Sequence, residues 1–248
     1  MHLMYKNILF FSFLLFVSLP VFPQTFSVAA GGDLVSRYIW RGINVNDAVN
    51  IQPSLSVSYC NLTLGVWGSY SLNSNNTADD NYAFSQEVDT WLSYKIDAGN
   101  DASVTAILTD YYYAHAGIKW GNFNNYNDAN GPGAHLIEAG IILTGTKSFP
   151  LILSGYYNFY NDAGNNAYFE IAYPFDVNNV GLTVFAGAAG GSKVTPGFYG
   201  TDKFNVINLG VKAAKSVKIT DEYALPVSVS FIANPRAEIV YVVFGISL

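Results

Sequence analysis

From Ile51 onward the chain alternates. Ile51, Pro53, Leu55, Val57 and Tyr59 are interleaved with Gln52, Ser54, Ser56 and Ser58, the two-residue period of a strand with one apolar and one polar face. The next segment repeats the pattern after only Cys60 and Asn61. Leu62, Leu64, Val66, Gly68, Tyr70 and Leu72 share one side, with Thr63, Gly65, Trp67, Ser69 and Ser71 on the other. Further along, Val88, Thr90, Leu92, Tyr94 and Ile96 oppose Glu87, Asp89, Trp91, Ser93 and Lys95, which confines charge to one face. Phe169, Ile171, Tyr173 and Phe175 likewise oppose Tyr168, Glu170 and Asp176.

About twelve such segments are predicted, near residues 27–40, 49–59, 62–72, 86–97, 102–114, 135–145, 151–160, 167–176, 179–189, 204–214, 223–233 and 237–248. None has a helical period. Many exceed the ~5–6 residues usual for globular strands and approach the ~9–11 that a tilted strand needs to cross a bilayer. The connections carry a second rhythm. Long polar gaps at Arg41–Val49, Asn73–Ser85, His115–Ala134 and Gly190–Lys203 alternate with short ones at Cys60-Asn61, Ala98–Asp101 and Val177-Asn178. Short turns at one rim and long loops at the other are how outer-membrane barrels are built. Tyrosines such as Tyr59, Tyr70, Tyr94, Tyr111, Tyr156, Tyr157 and Tyr241 fall toward segment ends, where aromatic girdles lie. The predicted fold is all-β: a single closed antiparallel transmembrane barrel of about 12 strands. The competing fold is a secreted soluble β-sandwich or barrel, with the same period and more charge outside.

Composition narrows the choice. Of 248 residues, 50% are hydrophobic and only 12% charged, against roughly a quarter charged in an ordinary soluble domain. A formal charge of -6 argues against nucleic acid, whose affinity comes from Lys and Arg. Lys6 before the apolar stretch Ile8–Leu19, then Pro20, Pro23 and Gln24, reads as a secretory signal peptide over residues 1–24. The barrel domain is then 25–248, and the chain is exported. The single cysteine, Cys60, permits no internal disulfide, and no cysteine stands at the end of the leader to carry a lipid anchor.

With apolar faces toward lipid, the opposite faces line a lumen. The lumen candidates are Asp33, Arg37, Arg41, Glu87, Asp89, Trp91, Lys95, Glu138, Glu170 and Lys212. These charges either pair across the interior and stiffen the barrel or set the preference of a pore. Glu87 and Asp89 bias it toward cations, a bias that Arg37 and Arg41 on the first strand would offset. His115 and His135 flank the longest gap. If their strands pair symmetrically about residue 125, the two imidazoles meet at the rim near Asp110 and Glu138, as a metal site or an acid–base pair. No HExxH, GxSxG or phosphate-loop pattern accompanies them. No catalytic residue and no cofactor is expected.

Leu34-Val35-Ser36-Arg37-Tyr38-Ile39-Trp40-Arg41-Gly42-Ile43 resembles the opening signature of the TorF-type porins. Leu62–Ser69 and Glu87–Tyr94 look similar as well. The resemblance covers the first hundred residues and continues beyond them only in strand rhythm. This chain has Arg37 where that family often has an acid, and it ends in Leu248 rather than an aromatic residue. The resemblance implies an outer-membrane porin with no catalytic residues. The expected function is a narrow passive channel for small hydrophilic solutes or ions, partnered by the lipid bilayer. The alternative is a closed structural or adhesive barrel that binds a ligand or partner through its long loops.

Overall fold

The computed structural model describes residues 25–72, 86–190 and 198–248, the side chain of His115 excepted. The proposed leader, residues 1–24, lies outside them. The strands are β1 (Phe26–Val35), β2 (Tyr38–Trp40), β3 (Ile43–Asn46), β4 (Asn50–Tyr59), β5 (Leu62–Ser71), β6 (Gln86–Gly99), β7 (Ala102–Tyr112), β8 (His135–Thr146), β9 (Phe149–Tyr160), β10 (Ala167–Val177), β11 (Val180–Gly190), β12 (Asn205–Lys218), β13 (Ala224–Asn234) and β14 (Ile239–Ser247). The one helical element among the described residues is a 3-10 turn at Ala114–Ala116.

Twelve of the strands form a closed barrel in which each pairs with its neighbours in the chain, and β1 closes the ring onto β14. The seam runs antiparallel through Asp33 opposite Ser247, Leu34 opposite Ile246 and Val35 opposite Gly245. Paired main-chain bonds between Gly32 and Leu248 extend it. The short turns gather at one end, where positive φ angles at Cys60, Asn100, Asp101, Asn178 and Asn179 give the tight reversals their handedness. The β10–β11 turn is Asn178-Asn179, one residue later than the predicted Val177-Asn178, because Val177 still pairs with Val180.

The faces sort as the alternation requires. Every barrel strand exposes a large apolar side chain on its outer side, among them Val28, Leu64, Leu92, Ile141, Phe169 and Phe231. Tyr59, Tyr70, Tyr94 and Tyr157 stand outward with them, whereas Tyr111 and Tyr241 are buried inside. The apolar faces therefore cover the exterior and do not stack against each other, which removes the sandwich alternative.

The first predicted segment is corrected. Residues 27–40 do not form one strand, and 41–49 is not an outer loop. β1 ends at Val35, and the chain turns inward to form a two-stranded hairpin, β2–β3, separate from the barrel sheet. Trp40 pairs with Ile43 across the two-residue turn Arg41-Gly42. Both turn residues have positive φ, 50° and 77°, the type I′ pattern whose twist suits a two-residue hairpin. The tip presses so closely on β12 that a Cβ at Gly42 would overlap the Ile207 carbonyl.

Gly42→Ala is therefore expected to lower the denaturant midpoint of the folded barrel by more than Gly117→Ala. Gly117 also has positive φ, 74°, but open space around it, so it registers only the conformational cost of about 1–2 kcal/mol. Equal shifts for the two variants would contradict close docking of the hairpin.

Candidate functional site

The hairpin is the centre of the site, and the local sequence explains its inward path. Ser36 ends β1 by donating its N–H to the Phe244 carbonyl at 2.9 Å while its hydroxyl accepts the Phe244 N–H at 3.0 Å. After β3, the Asn46 side chain accepts the Ala48 N–H at 2.9 Å and turns the chain toward β4. Arg37 and Asp47 join the two stems at 3.4 Å, with Arg37 over the Tyr241 ring. Between these stems the hairpin reaches β5, β7, β8, β9, β10, β12 and β13. That set is possible only inside the barrel.

At the tip, Arg41 makes a bidentate pair with Glu138 of β8, at 2.6 and 2.9 Å. The same guanidinium donates to the Tyr199 hydroxyl at 2.5 Å, and Tyr111 donates to Glu138 at 2.9 Å. The Tyr156, Trp40 and Tyr168 rings flank the guanidinium carbon at 4.0, 4.3 and 4.6 Å. The planar cation is thus held by a carboxylate at its edge and by π-faces around it. Tyr199 belongs to the β11–β12 loop, where burial raises its phenol above the ordinary value and keeps it neutral. Trp40 also stacks on Tyr199 at 5.6 Å, and the Asn234 side chain donates to the Gly42 carbonyl at 3.0 Å. A small core of Tyr168, Ala189, Tyr199 and Ile207 backs the tip.

The opposite side of the hairpin differs in charge. Tyr38 meets Trp67 of β5 edge-on at 5.5 Å and hydrogen-bonds Glu87, which also contacts Asp89. Glu87 is 2% exposed and Asp89 9%. Neither takes part in an ion pair among the described residues, and Glu87 Oε2 and Asp89 Oδ1 have no hydrogen-bond partner. Buried amide atoms of Asn44, Asn158 and Asn208 are likewise unpaired, so polar groups that no described residue satisfies ring the hairpin.

The other lumen candidates are spread along the interior. Asp33 lies opposite Gln52, on the polar side of β1, and is exposed. Glu170 accepts from Tyr168 and from Asn208. Trp91 fills the space that a Cβ at Gly65 would need. Lys95 lies at the short-turn end beside Asp97, at 3.1 Å. Lys212 lines a cavity of ≈730 Å³ at that end, together with Thr144, Pro174 and Thr183. Among the described residues, the hairpin therefore occupies the lumen toward the loops and a cavity lies toward the turns. Arg41 lies inside by way of the hairpin and not as part of the first wall strand. Tyr156, Tyr168 and Tyr199 were missed as site residues. For Tyr168 the signal was present, since it shares the polar face with Glu170; Tyr199 has no period to reveal it.

The histidine expectation is corrected in register. His135 pairs with Tyr112, not His115, because β7 stops at Tyr112 and a 3-10 turn follows. The His115 side chain lies outside the described residues. His135 shares the outer side with Ile137 and Ile141, so Glu138 faces away from it. Its Nδ1 meets the Asp110 carboxylate at 2.8 Å and its Nε2 the Trp120 carbonyl at 2.5 Å, with Phe123 stacked on the ring at 4.0 Å. Nδ1 thus joins β8 to β7, and Nε2 holds the loop onto the barrel. Among the described residues no group of three metal-binding side chains forms.

A family model described as a bacterial protein of unknown function (Gcw_chp) matches residues 20–232, and the chain belongs to that family. No curated protein matches it.

Removing one partner of the Arg41–Glu138 pair leaves a buried charge unanswered. Arg41→Met and Glu138→Gln are each expected to destabilise the barrel by about 3–5 kcal/mol, while the double variant loses less than their sum. A double-mutant cycle from denaturant titrations measures the coupling, and additive losses would show that the pair does not hold the hairpin.

Proposed function

We propose that this chain is an exported bacterial outer-membrane barrel acting as a narrow passive channel for small hydrophilic solutes or ions, with the β2–β3 hairpin as its constriction. The observation that carries the reading is the inversion of polarity about the closed wall. Large apolar side chains are exposed on every barrel strand, while carboxylates, amides and hydroxyls line the interior. In water such a continuous apolar exterior is unfavourable; in hydrocarbon it is the required surface, and closure satisfies the main-chain groups that an open edge would leave unpaired. The likeness of residues 34–43 to the TorF-type porins supports the same reading, since that stretch builds the hairpin.

Charge placement favours cations. Arg41 is neutralised by Glu138 and Arg37 faces Asp47, so neither offsets Glu87 and Asp89. In planar bilayers the refolded protein should give discrete, small conductance steps. Glu87→Gln with Asp89→Asn should shift reversal potentials away from cations, and replacing residues 38–46 by a short Gly-Ser linker should raise the unit conductance several-fold. Silence from correctly folded wild type and from the shortened variant alike would remove the channel. The outward face has its own check: Leu92→Arg should cost about 2–4 kcal/mol in lipid vesicles, and no loss would mean that Leu92 does not meet hydrocarbon.

A second reading rests on the β7–β8 loop. Side-chain bonds from Asn124 to Gly131 and from Asn161 to Gly133 hold its shape, yet Trp120, Phe123 and Tyr126 are exposed on it. These rings suit a partner or surface ligand. Excising Gly121–Gly133 should abolish surface binding without changing conductance if the loop serves that role.

A further inference from the structure

A separate cavity of ≈310 Å³ lies beneath the hairpin on the inner side of β5–β7, at the lower end of the size range for small-molecule pockets. Tyr38 and Trp40 roof it, and Trp67, Trp91, Tyr111 and Asp89 form its walls. Five aromatic rings and one carboxylate thus line an open-sided space. The box is braced independently of any ligand. Tyr38 meets Trp67 edge-on, Trp40 meets Tyr111 edge-on at 5.8 Å, and Trp91 occupies the room that Gly65 leaves.

The second observation concerns charge. Among the described residues, Asp89 Oδ1 and the adjoining Glu87 Oε2 are buried without a partner, and the arginines of the hairpin are committed to Glu138 and Asp47. Two carboxyl groups in contact inside a protein need a positive partner or a shared proton. A small metal ion is poorly matched to this box, because it demands a shell of oxygen ligands. Aromatic faces instead favour a bulky, weakly hydrated cation.

We propose that this cavity binds a small organic cation, an amine or quaternary ammonium, with Asp89 and Glu87 as counter-charge and the indole and phenol rings as its cage. The proposal needs the closed lumen but not conduction, so it stands or falls apart from the channel reading.

Three of the four tryptophans, Trp40, Trp67 and Trp91, line the cavity, so intrinsic fluorescence reports occupancy directly. The full chain, refolded in detergent and verified by heat-shifted gel mobility, is titrated with choline, with its neutral isostere 3,3-dimethyl-1-butanol, and with glucose. Calorimetry runs in parallel. A saturable response to choline is expected, at least about tenfold weaker for the neutral isostere and weakened by a similar factor in Asp89→Asn or Glu87→Gln. No saturable response to choline in the folded wild type overturns the proposal. Equal affinity for the isostere overturns it too, and so does a response to glucose alone, which would make the box a sugar platform. If either variant fails to fold, the comparison of choline with its isostere on wild type decides alone.

Discussion

A guanidinium leaves water only at high cost unless its charge and its N–H groups find partners. Arg41 is carried to the middle of the barrel by a hairpin tip, and everything around it is arranged to meet that demand. Glu138 takes its fork, Tyr199 takes a further N–H, and Trp40, Tyr156 and Tyr168 cover it. These partners come from β8, β9, β10, the hairpin itself and the β11–β12 loop, so one cation ties elements far apart in the chain. A buried ion pair is weak as a source of net stability but strong as a determinant of arrangement, since any other seating of the hairpin would leave Glu138 or Arg41 alone. The hairpin is accordingly a folded part of the wall's interior, with a register and a depth fixed by chemistry.

The wall was legible in the sequence because its physics is local. One side of each strand is apolar and the other polar, and a period of two reveals this without knowing the partner strand. Segments from 49–59 through 237–248 fall on barrel strands for that reason. The hairpin was not legible in the same way. Tyr38 and Trp40 continue the alternation of β1, so the period cannot tell a strand that stays in the wall from one that turns inward. The available signal was Gly42 alone, since a glycine suits the second position of a two-residue reversal whereas an arginine does not announce the positive φ that Arg41 adopts. Two arginines next to aromatic residues near a strand end also announced an interior role that an outer loop would not need.

Registers and loop contents were beyond reach for a different reason. Symmetric pairing about residue 125 placed His115 against His135, yet the structure pairs Tyr112 with His135. A loop does not divide evenly between its two stems when it has internal structure. The stretch from Gly117 to Ala134 holds its own main-chain bonds, such as Gly133 to Asn124 and Ala134 to Asn122, and docks Phe123 and the Trp120 carbonyl on His135. Those contacts are long-range choices that no periodicity records. Tyr199 is the same case inside the barrel: a loop residue whose partner, Arg41, lies 158 positions away.

The two sides of the hairpin follow from one another. Because Arg41 turns toward β8, Glu138 is paired and the lumen between β8 and β12 is packed around Tyr168 and Ile207. The opposite wall receives only Tyr38 and Trp40, which bring rings and a hydroxyl but no charge. Glu87 and Asp89 are therefore left as carboxyl groups facing aromatic surface, with nothing on the hairpin to neutralise them. The choice of side at a two-residue turn thus decides which carboxyl groups pair with the arginine and which are left to each other.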